Sequence, residues 1–273
     1  MRVNKNTASL NIYRSYSENL TKQSGALRRI SSGIKVNSAK DNPNALAQSE
    51  RLRMQIRGLQ MAARNTQDGV SMIQTTEGGL EGITNGIQRV RELLVQSGGT
   101  TTSGDKEIMQ KEIKQMLTGI NDIANNTEFN GVKLLVGGSN NVLVEIESTT
   151  GANVGEKIGI PRYDITSGGL NLDNLDMNDI SGSLKKVDDA IDVIISARSK
   201  YGALENRFES NYESTIEMAD KVQSAESGIR DADIAEEMME FTKYNILIEA
   251  GNAMMAQTNK FPQDILRVLE NVR

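Results

Sequence analysis

Side chains that commonly carry enzyme chemistry are scarce in this sequence. The chain of 273 residues contains no His and no Cys, which excludes a Ser-His-Asp triad, a Cys–His pair and a His-ligated zinc site. Helical di-iron bundles need Glu-x-x-His and are excluded on the same ground. Ser32 with Lys35 and Ser183 with Lys186 match the Ser-x-x-Lys spacing of a nucleophile and its base. No companion motif accompanies either pair, so we interpret both as chance and expect no enzyme and no cofactor.

An acidic stretch is the remaining candidate for ion chemistry. It supplies oxygen atoms of the kind that Ca²⁺ prefers, from Asp173, Asp176, Asn178 and Asp179. A helix–loop–helix calcium site also requires a Gly at the sixth loop position and a closing Glu, and both are missing here. We therefore expect a solvated loop and no metal site.

Charge and hydropathy exclude two further classes. Residues 1–60 carry 11 Lys and Arg against 3 Asp and Glu, whereas residues 180–273 carry 11 against 17. The basic residues are not interleaved with aromatic ones, so we expect no nucleic-acid interface. We expect instead that the two chain ends pair, because complementary charge beside an apolar seam sets pairing and orientation. No apolar run reaches about 18 residues, so no membrane insertion is expected.

Apolar residues recur every seven positions along the predicted helices that carry these side chains. Asn42 can cap a helix that begins at Pro43, and apolar or small residues then alternate at steps of four and three. Such a repeat predicts a long helix with a narrow seam packed against other helices. We interpret Gly78-Gly79 as a flaw in the middle of that helix. The seam comprises Ala45, Ser49, Leu52, Ile56, Leu59, Ala63, Thr66, Val70, Ile73, Leu80, Ile83, Ile87, Val90 and Leu94.

Both chain ends show weaker seams, in which small or polar residues interrupt the large apolar ones. A helix with such a seam is marginal alone, so we expect each end to complete its core only inside an assembly. Gly33 predicts the end of the first helix, Gly228 a break, and Pro262 the start of a last short helical stretch. The N-terminal seam comprises Leu10, Tyr13, Ser17, Leu20, Ser24, Leu27, Ser31 and Ile34, and the C-terminal seam comprises Ile234, Met238, Phe241, Asn245, Ile248, Asn252, Met255 and Asn259.

The middle of the chain changes period. Asn130-Gly131 is a strong hairpin-turn signal, Val142, Val144 and Ile146 alternate with polar residues as strands do, and 158–165 resembles another strand before a loop over 167–182. The predicted fold is mainly α: a long antiparallel helical rod or coiled coil formed by both chain ends, with a small β-hairpin region in the middle. We predict terminal coiled-coil arms at 1–42 and 229–273, and a helical rod over 43–228 whose hairpin region spans about 128–182.

Several long motifs of this sequence resemble bacterial flagellin. They are SSGIKVNSAKDNPNALA from Ser31, RNTQDG from Arg64, QTTEGGL from Gln74, IQRVRELLVQS from Ile87, TEFNGVKLL from Thr127 and ESGIRDADIAEEM from Glu226. The similarity covers both ends and nearly the whole chain. Only about forty residues join the hairpin region to the C-terminal helix, so the chain resembles a short flagellin without large outer domains.

The resemblance implies a structural subunit that polymerises into the extracellular filament of the bacterial flagellum. It implies export, unfolded, through the flagellar type III apparatus, which fits the lack of a Sec-type signal in the first thirty residues. The implied partners are further copies of the chain, an export chaperone, and hook-associated and cap proteins. Two alternatives remain open: a hook–filament junction protein with the same terminal arms, and a secreted helical adhesin or effector.

A further expectation concerns recognition by a host. Arg89, Leu93 and Glu112 match the positions through which receptor-stimulating flagellins engage a flagellin-sensing Toll-like receptor. Arg89 and Leu93 are four residues apart and so share a helix face. The alternative interpretation is that this face packs only against the next subunit.

Overall fold

Helices make up most of the computed structural model, which describes residues 6–99, 102–137, 144–147 and 157–271. Within these ranges the helices are α1 (Thr7–Ser32), α2 (Pro43–Ser97), α3 (Ser103–Asn126), α4 (Ile180–Arg230) and α5 (Ile234–Asn271). The strands are β1 (Glu128–Phe129), β2 (Val132–Lys133), β3 (Val144–Glu147) and β4 (Lys157–Ile160), paired antiparallel as β1–β2 and β3–β4. The prediction of a mainly α fold is confirmed. Within these described residues, no helix is both long enough and apolar enough to cross a membrane.

The chain divides into two compact units. The terminal unit comprises Met1–Met54 with Val222–Arg273, and the central unit comprises Gln55–Lys221. Helices α2 and α4 each contribute residues to both units. In the terminal unit, α1 packs against α5.

The core of the central unit contains much of the predicted α2 seam. Ile73, Leu80, Ile83, Ile87, Val90 and Leu94 are fully buried. They belong to one cluster with Ile113, Leu117, Ile120 and Ala124 of α3 and with Val187, Ile194, Tyr201 and Phe208 of α4. The seven-residue repeat therefore identified the buried face of α2 in this unit.

Gly78 and Gly79 do not interrupt α2, contrary to the predicted flaw. The helix continues through both residues. A Cβ atom at Gly79 would lie 2.8 Å from the Leu135 side chain and 2.8 Å from the Thr127 hydroxyl, whereas one at Gly78 would meet open space. Gly79 therefore allows the hairpin segment to approach the helix closely, which is a packing role.

The predicted hairpin turn is confirmed. Asn130 and Gly131 have φ values of 50° and 78°, as the tight turn between Phe129 and Val132 requires. Val144 pairs with Ile160, while the predicted strand residue Val142 lies outside the described residues. The strand expected over 158–165 ends at Ile160, because Pro161 has no N–H to donate to a ladder.

Four predicted helix boundaries can be compared with the structure. The Asn42 side chain accepts hydrogen bonds from the N–H groups of Asn44 and Ala45, both at 3.1 Å, and α2 begins at Pro43 as expected. Gly33 ends α1 with a left-handed φ of 68°. By contrast, α4 continues past Gly228, and α5 runs through Pro262 without a break. Helix α4 nevertheless ends two residues after Gly228, at Arg230, so the predicted break is displaced by two residues.

Candidate functional site

Helices α1 and α5 pair in antiparallel orientation in the terminal unit. The Asn6 side chain donates to the carbonyl oxygen of Thr258 at 3.1 Å, and the Gln23 amide donates to Asn245 Oδ1 at 3.1 Å. Residue numbers thus rise along one helix as they fall along the other. The expected pairing of the two chain ends is present within one chain.

The face of α1 that meets α5 is not the expected N-terminal seam, whereas the covered face of α5 includes Phe241, Ile248 and Met255 of the expected C-terminal seam. The covered positions of α1 are Ser9, Ile12, Tyr16, Asn19, Gln23, Gly25, Ala26, Arg29 and Ile30, and those of α5 include Glu237, Phe241, Tyr244, Ile248, Gly251, Met255 and Thr258. The large apolar residues that the expected N-terminal seam has within α1 are exposed instead. Two rows of residues with the same spacing lie on α1, and the more polar row faces α5. Its side chains have specific partners there, such as Asn245 for Gln23.

Large apolar side chains form exposed rows on both helices. The outer stripe of α1 comprises Tyr13, Leu20 and Leu27, spaced seven residues apart. The outer stripe of α5 comprises Met239, Ile246, Leu247, Met254 and Phe261, in two series that also repeat every seven residues. Each of these eight side chains is between 41% and 68% exposed. Sequence reasoning missed the α5 stripe, although its seven-residue spacing is visible beside the seam that was chosen.

A partly buried ion pair joins the two helices. Arg29 Nε donates to Glu237 Oε1 at 2.6 Å, and Arg29 Nη2 donates to Glu240 Oε2 at 3.1 Å. The hydrogen bond to Glu237 raises the pKa of Arg29 above its ordinary value. The Glu237 side chain is only 10% exposed, and its second oxygen has no hydrogen-bond partner among the described residues. The charge of Glu237 is therefore compensated mainly by Arg29.

Backbone hydrogen bonds join the loop after α1 to the loop before α5. The Lys35 N–H donates to the Arg230 carbonyl at 2.7 Å, and the Ala232 N–H donates to the Gly33 carbonyl at 2.9 Å. Both loops lie in the terminal unit. They hold the α1 and α5 ends next to each other without depending on side chains.

The predicted receptor residues lie on α2 and α3 of the central unit. Arg89 donates to Glu92 and to Glu112, both at 3.1 Å, and so links the two helices. These hydrogen bonds raise the pKa of Arg89. All three side chains are exposed to solvent, whereas Leu93 is 2% exposed and belongs to the core. The structure thus brings Arg89 and Glu112 together on the surface, whereas Leu93 lies in the core.

The residues considered for catalysis or ion binding have structural partners. Ser183 Oγ donates to the Asp176 carbonyl at 2.9 Å, and Lys186 Nζ donates to the Asn174 carbonyl at 3.0 Å. These contacts attach the preceding loop to α4. Among the described residues no group of three or more His, Cys, Asp or Glu side chains could hold a metal ion.

Comparisons with known proteins cover almost the whole chain. The family model described as the bacterial flagellin N-terminal helical region matches residues 3–140, and that for the bacterial flagellin C-terminal helical region matches residues 184–269. The flagellin of Bacillus subtilis is 38% identical over 98% of this chain and 100% of the relative. The flagellar filament 33 kDa core protein of Treponema phagedenis is 36% identical over 89% of this chain and 91% of the relative.

One solved structure shows the same fold at low identity. It is a putative flagellar hook-associated protein from Vibrio parahaemolyticus, with a TM-score of 0.60 and 16% identity, covering 70% of this chain and all of that one. At that identity the likeness concerns the fold alone, whereas the flagellins match at 38% over nearly the full length. The hook–filament junction alternative is therefore not favoured. The chain belongs to the bacterial flagellin family and is a structural, non-enzymatic subunit of the flagellar filament.

Proposed function

We propose that the outer stripes of α1 and α5 are the surfaces through which copies of this chain pack into the filament. Residues 1–42 and 229–273 act as the assembling arms in this proposal. The observation that carries it is the exposure of eight large apolar side chains at seven-residue spacing, the pattern by which helices pack side by side. A second copy presents the same stripes and so offers a matching surface.

Burial of the outer stripes would contribute a free energy of the same order as the entropy cost of association. Complete burial of a large apolar side chain contributes about 1.5–3 kcal/mol, so a half-exposed one can gain roughly 1 kcal/mol more. The outer stripes of one chain would then contribute on the order of 10 kcal/mol, before the entropy cost of association is subtracted. The pairing of α1 with α5 inside one chain does not bury the outer stripes, so this contribution becomes available only when copies associate.

A pair of variants on α5 tests the proposal. L247Q/F261Q places two polar side chains on the outer stripe, and we expect it to abolish filaments in electron microscopy and sedimentation. E249Q changes an exposed polar residue of the same helix and should form normal filaments. Circular dichroism establishes that both variants retain the helical content of the parent chain. Normal filaments from L247Q/F261Q would refute the packing surface.

A second candidate function rests on the exposed Arg89–Glu112 pair. We propose that free subunits present this pair to a flagellin-sensing Toll-like receptor, with Leu93 supporting the α2 surface from the core. An arginine that is desolvated in an interface often contributes about 2 kcal/mol or more. R89A should therefore shift the dose–response of receptor signalling at least tenfold, while E92Q, which leaves the link to Glu112 in place, should not. Unchanged potency of R89A would remove this surface from consideration.

Export and the further partners are also proposals. We propose that the chain leaves the cell unfolded through the flagellar export apparatus and joins the filament outside, beside hook-associated and cap proteins. The sequence has no Cys, so no disulfide opposes unfolding, and a chaperone could cover the outer stripes before export. Cells that lack the export apparatus should retain the chain inside. The α5 stripe variant should lose chaperone binding in pull-down experiments if the stripe is the chaperone surface.

A further inference from the structure

Two methionines occupy the outer stripe of α5. Met239 is 68% exposed and Met254 is 52% exposed. Each has an apolar neighbour seven residues further along, Ile246 and Phe261 respectively, so both thioethers lie within the stripe. A thioether packs well in an apolar contact, but its oxidation to the sulfoxide produces a polar group.

Four other methionines lie in the core of the central unit or on α2 and serve as internal references. Met72 is 5% exposed and Met177 is 3% exposed, both in the core of the central unit. Met54 and Met61 are exposed on a different helix, α2. The positions on the outer stripe of α5 thus combine access to solvent with a place on a proposed assembly surface.

We propose that Met239 and Met254 are oxidation sites that control polymerisation: the thioethers permit packing of α5 between copies, and the sulfoxides prevent it. The inference rests on the proposed packing of the outer stripes. The oxidant class is a peroxide present outside the cell. Oxidation would act on the free subunit, whose stripe is exposed, and would spare the filament, where a neighbouring copy covers it.

The chemical step is a two-electron oxygen transfer. The methionine sulfur attacks one peroxide oxygen, the O–O bond breaks, and an S–O bond forms. With hydrogen peroxide the second oxygen leaves as water after it gains the proton from the transferred oxygen. Sulfur is oxidised and the peroxide is reduced, and methionine sulfoxide reductases reverse the change with electrons from a thiol.

The expected effect follows from the polarity of the sulfoxide. A sulfoxide oxygen buried between apolar side chains has no donor and loses its hydrogen bonds to water. An unsatisfied polar group of this kind is costly, and we expect the critical concentration for polymerisation to rise at least about tenfold.

The experiment treats full-length subunits with dilute hydrogen peroxide, maps sulfoxides by peptide mass spectrometry and measures the critical concentration. Met239 and Met254 should gain oxygen while Met72 and Met177 do not. M239L/M254L should polymerise equally well before and after treatment. M54L/M61L is the matched control and should remain as sensitive to peroxide as the parent chain.

Reduction of the oxidised parent chain supplies a test that needs no variant. Treatment with both methionine sulfoxide reductases and a thiol reductant should restore polymerisation as the two sulfoxides disappear. If the oxidised subunits polymerise normally, if M239L/M254L stays peroxide-sensitive, or if reduction of both sulfoxides restores nothing, the proposal is overturned.

Assembled filaments separate this inference from the packing proposal. In filaments, peroxide should leave Met239 and Met254 unmodified at doses that oxidise them in free subunits. Equal oxidation in both states would refute the packing of the stripe, and the inference with it. Protection in filaments combined with normal polymerisation of oxidised subunits would refute the oxidation control alone.

Discussion

Removing the positive charge from the Arg29–Glu237 pair should destabilise the pairing of α1 with α5 more than removing both charges. In R29M the Glu237 carboxylate stays 10% exposed and loses its 2.6 Å partner. Breaking a fully buried pair costs about 3–5 kcal/mol and an exposed pair about 0–1 kcal/mol. Arg29 is 28% exposed, so we expect an intermediate loss of about 2 kcal/mol, or roughly thirtyfold in the opening equilibrium of the helix pair.

The double variant R29M/E237M tests whether the unpaired Glu237 charge causes the loss of stability in R29M. It replaces both charged groups by apolar ones of similar length, so no buried charge is left without a partner. We expect it to be more stable than R29M by about 1 kcal/mol or more. The measurement is hydrogen exchange of α1 and α5 amides in full-length filaments, where local opening free energies are read directly.

The neighbouring carboxylate provides the control. Glu240 also binds Arg29 but is 43% exposed, so E240Q should change the opening free energy by less than about 1 kcal/mol. If R29M/E237M is no more stable than R29M, an uncompensated Glu237 charge is not the cause of the loss. In that case the contact of the Arg29 stem with α5 would account for the effect.

Further variants probe other features of the chain. Hydrogen bonds from Ser38 lower the pKa of Asp41 below its ordinary value of 3.8. The ionised Asp41 therefore stabilises the fold above that pH, and this stabilisation is lost as the pH falls through the lowered pKa. D41N should reduce the pH dependence of thermal stability measured below pH 4. G79A should destabilise the central unit by about 1–3 kcal/mol in calorimetry because its Cβ would clash, whereas G78A, in open space, should be neutral or slightly stabilising. Deleting 239–273 should leave a helical, soluble chain by circular dichroism that forms no filaments, and filaments from it would contradict the role of α5.

The seven-residue repeat predicted the buried face of α2 correctly. It failed on α1, where two rows of residues have the same spacing. Ile83 and Val90 lie on an α2 face with no apolar rival, so the seven-residue repeat identified it. On α1 the repeat that includes Leu20 and the one that includes Gln23 have the same spacing, and only the partner helix decides between them. The choice depends on long-range contacts that a local pattern does not contain.

Breaker residues were misjudged for a related reason. Gly79 was interpreted as a flaw because glycine has a low helix propensity, yet it is required by the close approach of Thr127 and Leu135 from a segment about fifty residues away. Leu93 was expected at a recognition surface, but it is buried in a core cluster that also contains residues of α3 and α4. Arg89 and Glu112 could be identified by resemblance, but their mutual hydrogen bond at 3.1 Å could not.

The backbone hydrogen bonds between the two loops of the terminal unit determine which substitutions these loops can accept. The donors are the main-chain N–H groups of Lys35 and Ala232 and the acceptors are main-chain carbonyls, so nearly any side chain can be substituted at the two donor positions without loss of the contact. Proline is the exception because it has no N–H, and position 33 favours glycine through its left-handed φ. A saturation library at these three positions should tolerate almost every exchange at 35 and 232 except proline, and few at 33.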